Sequence, residues 1–370
     1  MIKNILRLDW LLLTATLLLV GLSLATLFSI SYTGNGFIPG EGNNFIRQAV
    51  FSILGIVIFL IFSFLDYRVL RGLSPVLFLT GIFLLLAVLV FGKIIRGTSG
   101  WISLGYFNFQ PVEFFKLVVA ITLARYFSLN ARTIHEVKHI LISAVPVLLS
   151  ILLILAQPDL GSALVVVGAW AGVLLISGAK KSYLAALVLA GILIAVLSWQ
   201  FFLKDYQKER VTVFLSPTND PLGAGYNVLQ STVAVGSGGM WGKGLGHGSQ
   251  SQLNFLPEKH TDFIFAVVAE ELGFAGTVFV LVLLVVILTR LFAISRDSRD
   301  NFGKLLASAI AIIIFIQIVV NIGMNIGIVP VAGLPLPLLS YGGSSLLTTF
   351  AMLGIAESIY RRSRQGFGMG

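Results

Sequence analysis

Residues 256–292 read Leu256-Pro-Glu-Lys-His-Thr-Asp262-Phe263-Ile-Phe-Ala-Val-Val-Ala-Glu270-Glu271-Leu-Gly273-Phe-Ala-Gly-Thr-Val-Phe-Val-Leu-Val-Leu-Leu-Val-Val-Ile-Leu-Thr-Arg290-Leu-Phe292. A polar island, about Lys204 to Asp262, runs here straight into an apolar stretch. About 20 apolar residues cross the hydrocarbon core of a bilayer, so 263–292 is long enough to span it. Charged side chains at such a boundary are costly to desolvate, and a cluster of them is a functional-site candidate. Lys259, His260 and Asp262 form that cluster.

Composition agrees with the membrane reading. The chain has 370 residues, 57% hydrophobic and 11% charged, with mean hydropathy +0.96. Soluble proteins average about 25% charged residues. The net charge of +9 is scattered in short clusters between apolar runs, which reads as topology and excludes a nucleic-acid patch. There is no cysteine, hence no disulfide or thiolate chemistry. The first apolar run, Leu11 to Ile30, is too long for a signal-peptide core and reads as a retained span.

The expected fold is an all-α integral membrane protein of about ten transmembrane helices, a single polytopic domain over 1–370. The spans fall at 10–30, 47–65, 74–92, 111–128, 138–156, 160–178, 182–203, 263–292, 304–327 and 341–360. With the N-terminus inside, the inner segments hold Lys3, Arg7, Arg68, Arg71, Arg125, Arg132, Lys138, Lys180, Lys181, Arg290, Arg296, Arg299, Lys304, Arg361, Arg362 and Arg364, or 16 of the 25 Lys and Arg residues. That bias predicts N-in and C-in. The loop 204–262, between spans seven and eight, then lies on the extracytoplasmic face. Within it, 224–236 reads as a short interfacial helix. The run 236–248 is too glycine-rich for a regular element and suits close backbone approach to a ligand.

Several residues carry candidate chemistry. Asp262 suits a general base at the outer surface, or equally a cap of the following helix. Glu113 and Lys116, at i and i+3, share a helix face after Pro111. They suit a self-neutralising pair in the bundle, or a lysine on a phosphate oxygen oriented by the glutamate. Asp159, in Gln157-Pro-Asp-Leu-Gly161, suits a structural turn or a carboxylate holding Mg2+ or Mn2+ together with Asp262. Arg47 and Arg210 are anion-site candidates or interfacial anchors. Ser344 and Ser345 follow the proline- and glycine-broken stretch 321–343 and can donate to a head group. Glu270 and Glu271 lie inside the apolar run and must face the bundle or a polar cavity. His135-Glu-Val-Lys-His139 matches a zinc-protease pattern, but on the opposite, inner face and without a third ligand.

Four motifs together resemble the SEDS family of shape, elongation, division and sporulation proteins. They are Asn325-Ile-Gly-Ile-Val-Pro-Val-Ala-Gly-Leu-Pro-Leu-Pro-Leu-Leu-Ser-Tyr-Gly-Gly-Ser-Ser345, Leu256–Ala266 followed by Glu270-Glu-Leu-Gly273, Gln110-Pro-Val-Glu-Phe-Phe-Lys116, and Gln157–Gly161. Lys259 and the lack of a long N-terminal extension look more like the rod-shape branch than the division branch. Val112 departs from the serine more usual in the third motif. The resemblance implies a peptidoglycan glycosyltransferase that polymerises lipid II at the outer face of the cytoplasmic membrane. It implies Asp262 as base, with Glu113 and Lys116 catalytic. Arg47, Arg210, His260, Ser344 and Ser345 are the substrate-binding set. A divalent cation is a candidate cofactor, and no organic cofactor is expected. The implied partners are a class B penicillin-binding protein supplying the transpeptidase and other elongation-complex membrane proteins. Undecaprenyl diphosphate is the leaving group. A lipid II flippase and a non-catalytic transpeptidase scaffold are the competing readings.

Overall fold

A computed structural model describes residues 8–33, 36–37, 42–95, 98–103, 105, 108–201, 208, 212–214, 216 and 224–364. Helices stand at all ten expected spans: α1 Trp10–Ser31, α2 Gly42–Phe64, α3 Arg68–Phe91, α4 Pro111–Leu129, α5 Val137–Ala156, α6 Leu160–Ile176, α7 Lys181–Phe201, α10 Ile264–Arg296, α11 Asn301–Asn325 and α12 Gly343–Arg364. Six of them, α1, α2, α3, α5, α10 and α11, are long and apolar enough to cross a membrane by length and composition. α6 is shorter, and α4 and α12 carry charges within their length. A helix stands where a short one is expected at 224–236, α8 Ala224–Ser237, and a single turn, α9 Ser249–Gln252, follows it.

α11 is the centre of the bundle. It packs against α4, α6, α8, α10 and α12, and 72% of its most apolar stretch is buried. In lipid there is no hydrophobic drive between helices, so close packing over small residues does the joining. α6 meets α11 where Gly168 and Gly172 face Ile316 and Ile312. α2 and α12 interlock in the same way: the ring of Phe350 lies on Gly55, and the backbone of Phe59 lies on Gly354. A methyl at any of these glycines would strike its neighbour and spread the pair.

The end of the bundle that holds the start of α1 and the end of α12 is tied by charge. Asp9 caps α1 by accepting the Leu12 N–H, and its other oxygen takes Arg290 of α10 at 2.6 Å. The Asp9 N–H donates to Glu357 of α12 at 3.0 Å. Asp9 is buried, so losing Arg290 would strand a charge in the bundle.

Two small antiparallel sheets cover the other end. β1 Tyr32–Thr33 pairs with β2 Gly36–Phe37, and β4 Thr98–Ser103 pairs with both β3 Lys93–Ile95 and β5 Asn108–Phe109. β4 lies beside α3, and its Gly100 approaches the side chains of Gln157 and Gln110.

α10 is broken at Gly273, whose φ of 66° and ψ of −163° leave the helix. That region is open to glycine and strained for other residues. The glycine-rich stretch 236–248 fills the break. Lys243 N and Gly244 N donate to the freed carbonyls of Glu270 and Glu271. Phe274 N and Ala275 N donate to Gly239 O and Met240 O. The close backbone approach that these glycines permit is made here to the broken helix. The two buried glutamates complete the joint. Glu270 takes Lys243 at 2.7 Å and the N–H groups of Gln250 and Ser251. Glu271 accepts from Ser29 at 2.7 Å and from Gly246 N at 3.2 Å. Both acids are buried against polar partners of the 243–252 loop and Ser29, as the cost of exposing them to lipid requires.

Candidate active site

A cavity of about 130 Å³ opens where the α10 start, the α5–α6 turn, β4 and the 331–345 segment converge. Asp262, Asp159, Ser344 and Ser345 all line it, with Thr98, Trp101 and Gln110. Three segments far apart in sequence thus bring four of the expected residues to one place.

Asp262 is not the helix cap. The N-cap of α10 is Phe263, which makes no side-chain capping bond, and Asp262 precedes it. The backbone around Asp262 is held at three successive carbonyls. The carbonyl of His260 accepts from Tyr341 N at 2.8 Å, and that of Thr261 accepts from Ser340 Oγ at 2.6 Å. The carbonyl of Asp262 itself accepts from Asn321 Nδ2 and Asn325 Nδ2. Residues 340–342 are in turn held by Gln48 of α2, which donates to Ser340 O at 3.2 Å and accepts from Gly342 N at 3.3 Å. Gly333, at φ 65°, passes close to the Asp262 carboxylate and leaves room for it.

Asp159 has a structural duty as well as a cavity face. It is the N-cap of α6, one oxygen accepting Ser162 N at 2.9 Å. Ser344 accepts from Gln110 N at 3.0 Å, which ties α12 to the start of α4. Glu113 and Lys116 form a buried ion pair of 2.7 Å one turn along α4 from Gln110, and neither lines the cavity. Their self-neutralising reading is therefore the one the geometry displays. The exposed Arg47 sits in the second turn of α2, which begins before the expected span, and is not part of the cavity lining. His260 is partly buried beside the cavity and reaches 341 through its backbone. Arg210 lies outside the described residues.

The donor set bears on a metal. Mg2+ retains several waters and binds through one or two carboxylates plus substrate phosphates. Asp159 and Asp262 on one cavity suit such a shared ion. Among the described residues no cluster of three His, Asp or Glu exists to hold a metal by protein groups alone. The zinc-protease pattern fails on the same ground. His139 is buried with Nδ1 on Tyr126 OH at 3.0 Å and Nε2 on Thr133 Oγ1 at 2.8 Å, so both ring nitrogens are occupied. Glu136 is exposed beside Lys138, whose hydrogen bond holds its carboxyl below the usual range.

The residues that sequence reasoning missed are Gln48, Asn321 and Asn325. All three are polar within apolar runs. Asn321 and Asn325, at helical spacing inside 304–327, were the available signal.

A family model described as "Cell cycle protein", covering FtsW, RodA and SpoVE, matches residues 9–365. "Peptidoglycan glycosyltransferase MrdB" of Escherichia coli (strain K12) is 43% identical over 308 residues, 83% of this chain and 83% of the relative. "Stage V sporulation protein E" of Bacillus subtilis (strain 168) is 36% identical over 363 residues, 96% of this chain and 98% of the relative. Among solved structures, one described as "Structural coordination of polymerization and crosslinking by a peptidoglycan synthase complex" matches with TM-score 0.82 and 36% identity, covering 97% of this chain and 99% of that chain. The rod shape determining protein RodA of Thermus thermophilus matches with TM-score 0.71 and 32% identity, covering 97% and 98%. With the six apolar helices, these matches make the protein a multi-pass membrane protein, and the chain belongs to the SEDS family of FtsW, RodA and SpoVE.

Proposed function

We propose that this chain is a peptidoglycan glycosyltransferase that polymerises lipid II during cell-wall elongation. The observation that carries the reading is the placement of Asp262: a carboxylate on a rigidly held backbone, facing a cavity with hydroxyl and amide groups around it. The enzyme names of the relatives support it.

Asp262 takes the proton from the 4-hydroxyl of the acceptor sugar as that oxygen attacks the anomeric carbon of the donor. The new C–O bond forms as the bond to the diphosphate breaks. Configuration inverts, and undecaprenyl diphosphate leaves with the electron pair. A diphosphate needs no proton to depart, so one protein base suffices. Positive charge stabilises it, for which Arg47, Arg210 and Lys116 are the cations we propose. Lys116 must then loosen its contact with Glu113 when substrate is bound. Ser344 and Ser345 donate to the head group, and His260 borders it. A divalent ion held by Asp159 and Asp262 would add charge neutralisation at the diphosphate when bound.

The lipid tail of the substrate keeps the reaction at the membrane. The Lys and Arg bias of the sequence supports a cavity on the outer face of the cytoplasmic membrane, with both termini inside. The match to a synthase complex supports a class B penicillin-binding protein as crosslinking partner.

The test is polymer formation by the purified protein given lipid II and no other enzyme. Glycan strands support the reading. Lipid translocation without polymer would assign a flippase. Transpeptidase binding with neither activity would assign a scaffold.

A further inference from the structure

Asn321 and Asn325 are one helical turn apart on α11 and both are fully buried. Their side-chain amides converge on a single acceptor, the carbonyl oxygen of Asp262, at 3.1 and 2.9 Å. Each amide also has a second task. Asn325 Oδ1 accepts Ala266 N at 3.0 Å, and Asn321 Nδ2 also donates to Leu334 O at 2.8 Å. Asn325 Nδ2 donates to Asn321 O at 2.8 Å, which ties the pair together.

These bonds have a mechanical meaning. The first N–H groups of a helix have no partner within it and need an acceptor. The α10 N-cap, Phe263, supplies none, and Asn325 supplies one from another helix. The same amide holds the carbonyl of the residue before the cap. With that carbonyl turned into the bundle by two donors, the Asp262 peptide plane cannot rotate, and only side-chain torsions remain to aim the carboxylate. Leu334 lies between cavity-lining residues Gly333 and Pro335, so Asn321 fixes the facing wall to the same helix.

We propose that Asn321 and Asn325 are positioning residues of the glycosyl transfer, a clamp on the Asp262 backbone that sets the carboxylate against the acceptor hydroxyl. The proposal rests on Asp262 being the base. The clamp touches no substrate; it acts by holding the base and the opposing wall in one frame. An error of about 1 Å in such a frame costs roughly 100-fold in rate. Either asparagine alone leaves one donor on the carbonyl, so the single losses should be milder than the double.

The experiment compares Asn321→Ala, Asn325→Ala, the double variant, Ser231→Ala and Asp262→Asn as full-length purified protein with lipid II. Ser231 donates to the backbone carbonyl of Asn325 at 2.8 Å, so its variant loosens the same helix without touching the clamp. The clamp predicts a fall in kcat of roughly 10- to 100-fold in the double variant. KM stays nearly constant, and the acidic limb of the pH profile moves because the base sits in a new setting. Ser231→Ala loses some thermal stability and keeps its kcat and pH profile. Should the double variant fail to fold, the single variants carry the same test at smaller size. Unaltered kcat and pH profile in the asparagine variants beside an inactive Asp262→Asn overturn the clamp alone. Full activity in Asp262→Asn overturns the base assignment and with it the clamp.

Discussion

Gly273→Ala tests the joint between the broken helix α10 and the glycine-rich loop. At φ 66° and ψ −163° a residue with a side chain is strained by about 1–3 kcal/mol. A Cβ there would also lie 2.7 Å from the carbonyl carbon of Trp241 and 2.8 Å from that of Met240, and closer still to Gly242 N. All of these are backbone atoms, so no side chain can swing aside. Relief requires parting the loop from α10, which loses the bonds of Lys243 N and Gly244 N to Glu270 O and Glu271 O and of Phe274 N and Ala275 N to Gly239 O and Met240 O. Each such bond is worth about 1 kcal/mol net. Strain and partial loss together reach about 3 kcal/mol or more, which at 1.4 kcal/mol per decade is roughly a 100-fold rise in the open population. Hydrogen exchange at those four amides should accelerate by that factor, while exchange in α11 is unchanged. Gly236→Ala is the control: nothing lies within 4 Å of its Cβ, and it sits in α8. Four amides that exchange within about threefold of the unaltered protein in Gly273→Ala would refute the argument, since three-fold is well under 1 kcal/mol.

Two further predictions separate structural from chemical duties. Lys116→Met strands the buried Glu113 and should cost about 3–5 kcal/mol, read as a large fall in thermal stability in detergent. The double variant Glu113→Gln/Lys116→Met should recover most of that stability yet remain inactive in polymerisation; recovered activity would make the pair purely structural. Asp159→Asn keeps a good helix cap, whereas Asp159→Ala loses about 1 kcal/mol of it. Asp159→Asn should therefore fold normally while needing more Mg2+ for half-maximal polymerisation, and an unchanged Mg2+ requirement would remove Asp159 from any ion site.

The apolar runs found the helices because lipid leaves the backbone no other way to satisfy itself. Their ends were less legible. α2 begins at Gly42 rather than 47, and α3 at Arg68 rather than 74, because a helix continues past the hydrocarbon into charged turns such as Arg68 and Arg71 that hydropathy excludes. Pro75 lies inside α3, where the sequence suggested a boundary. The short strands at 93–109 carry no strong alternation and were not expected. At the site, residue type and motif located Asp262, Asp159, Ser344 and Ser345, and the fold brought all four to one cavity. The Glu113–Lys116 pair was legible from its i, i+3 spacing. The break at Gly273 and the asparagine clamp were not, because each depends on a backbone carbonyl meeting a partner from a distant segment. Side-chain patterns do not record where a carbonyl points.

The central claim is that Asp262 is the base of a glycosyl transfer. The most direct measurement is glycan synthesis from lipid II by purified Asp262→Asn protein, with its thermal unfolding recorded alongside. Asparagine preserves shape and hydrogen-bonding capacity but cannot take the proton. The account predicts normal folding and no polymer. Near-normal strand synthesis by that variant would contradict it.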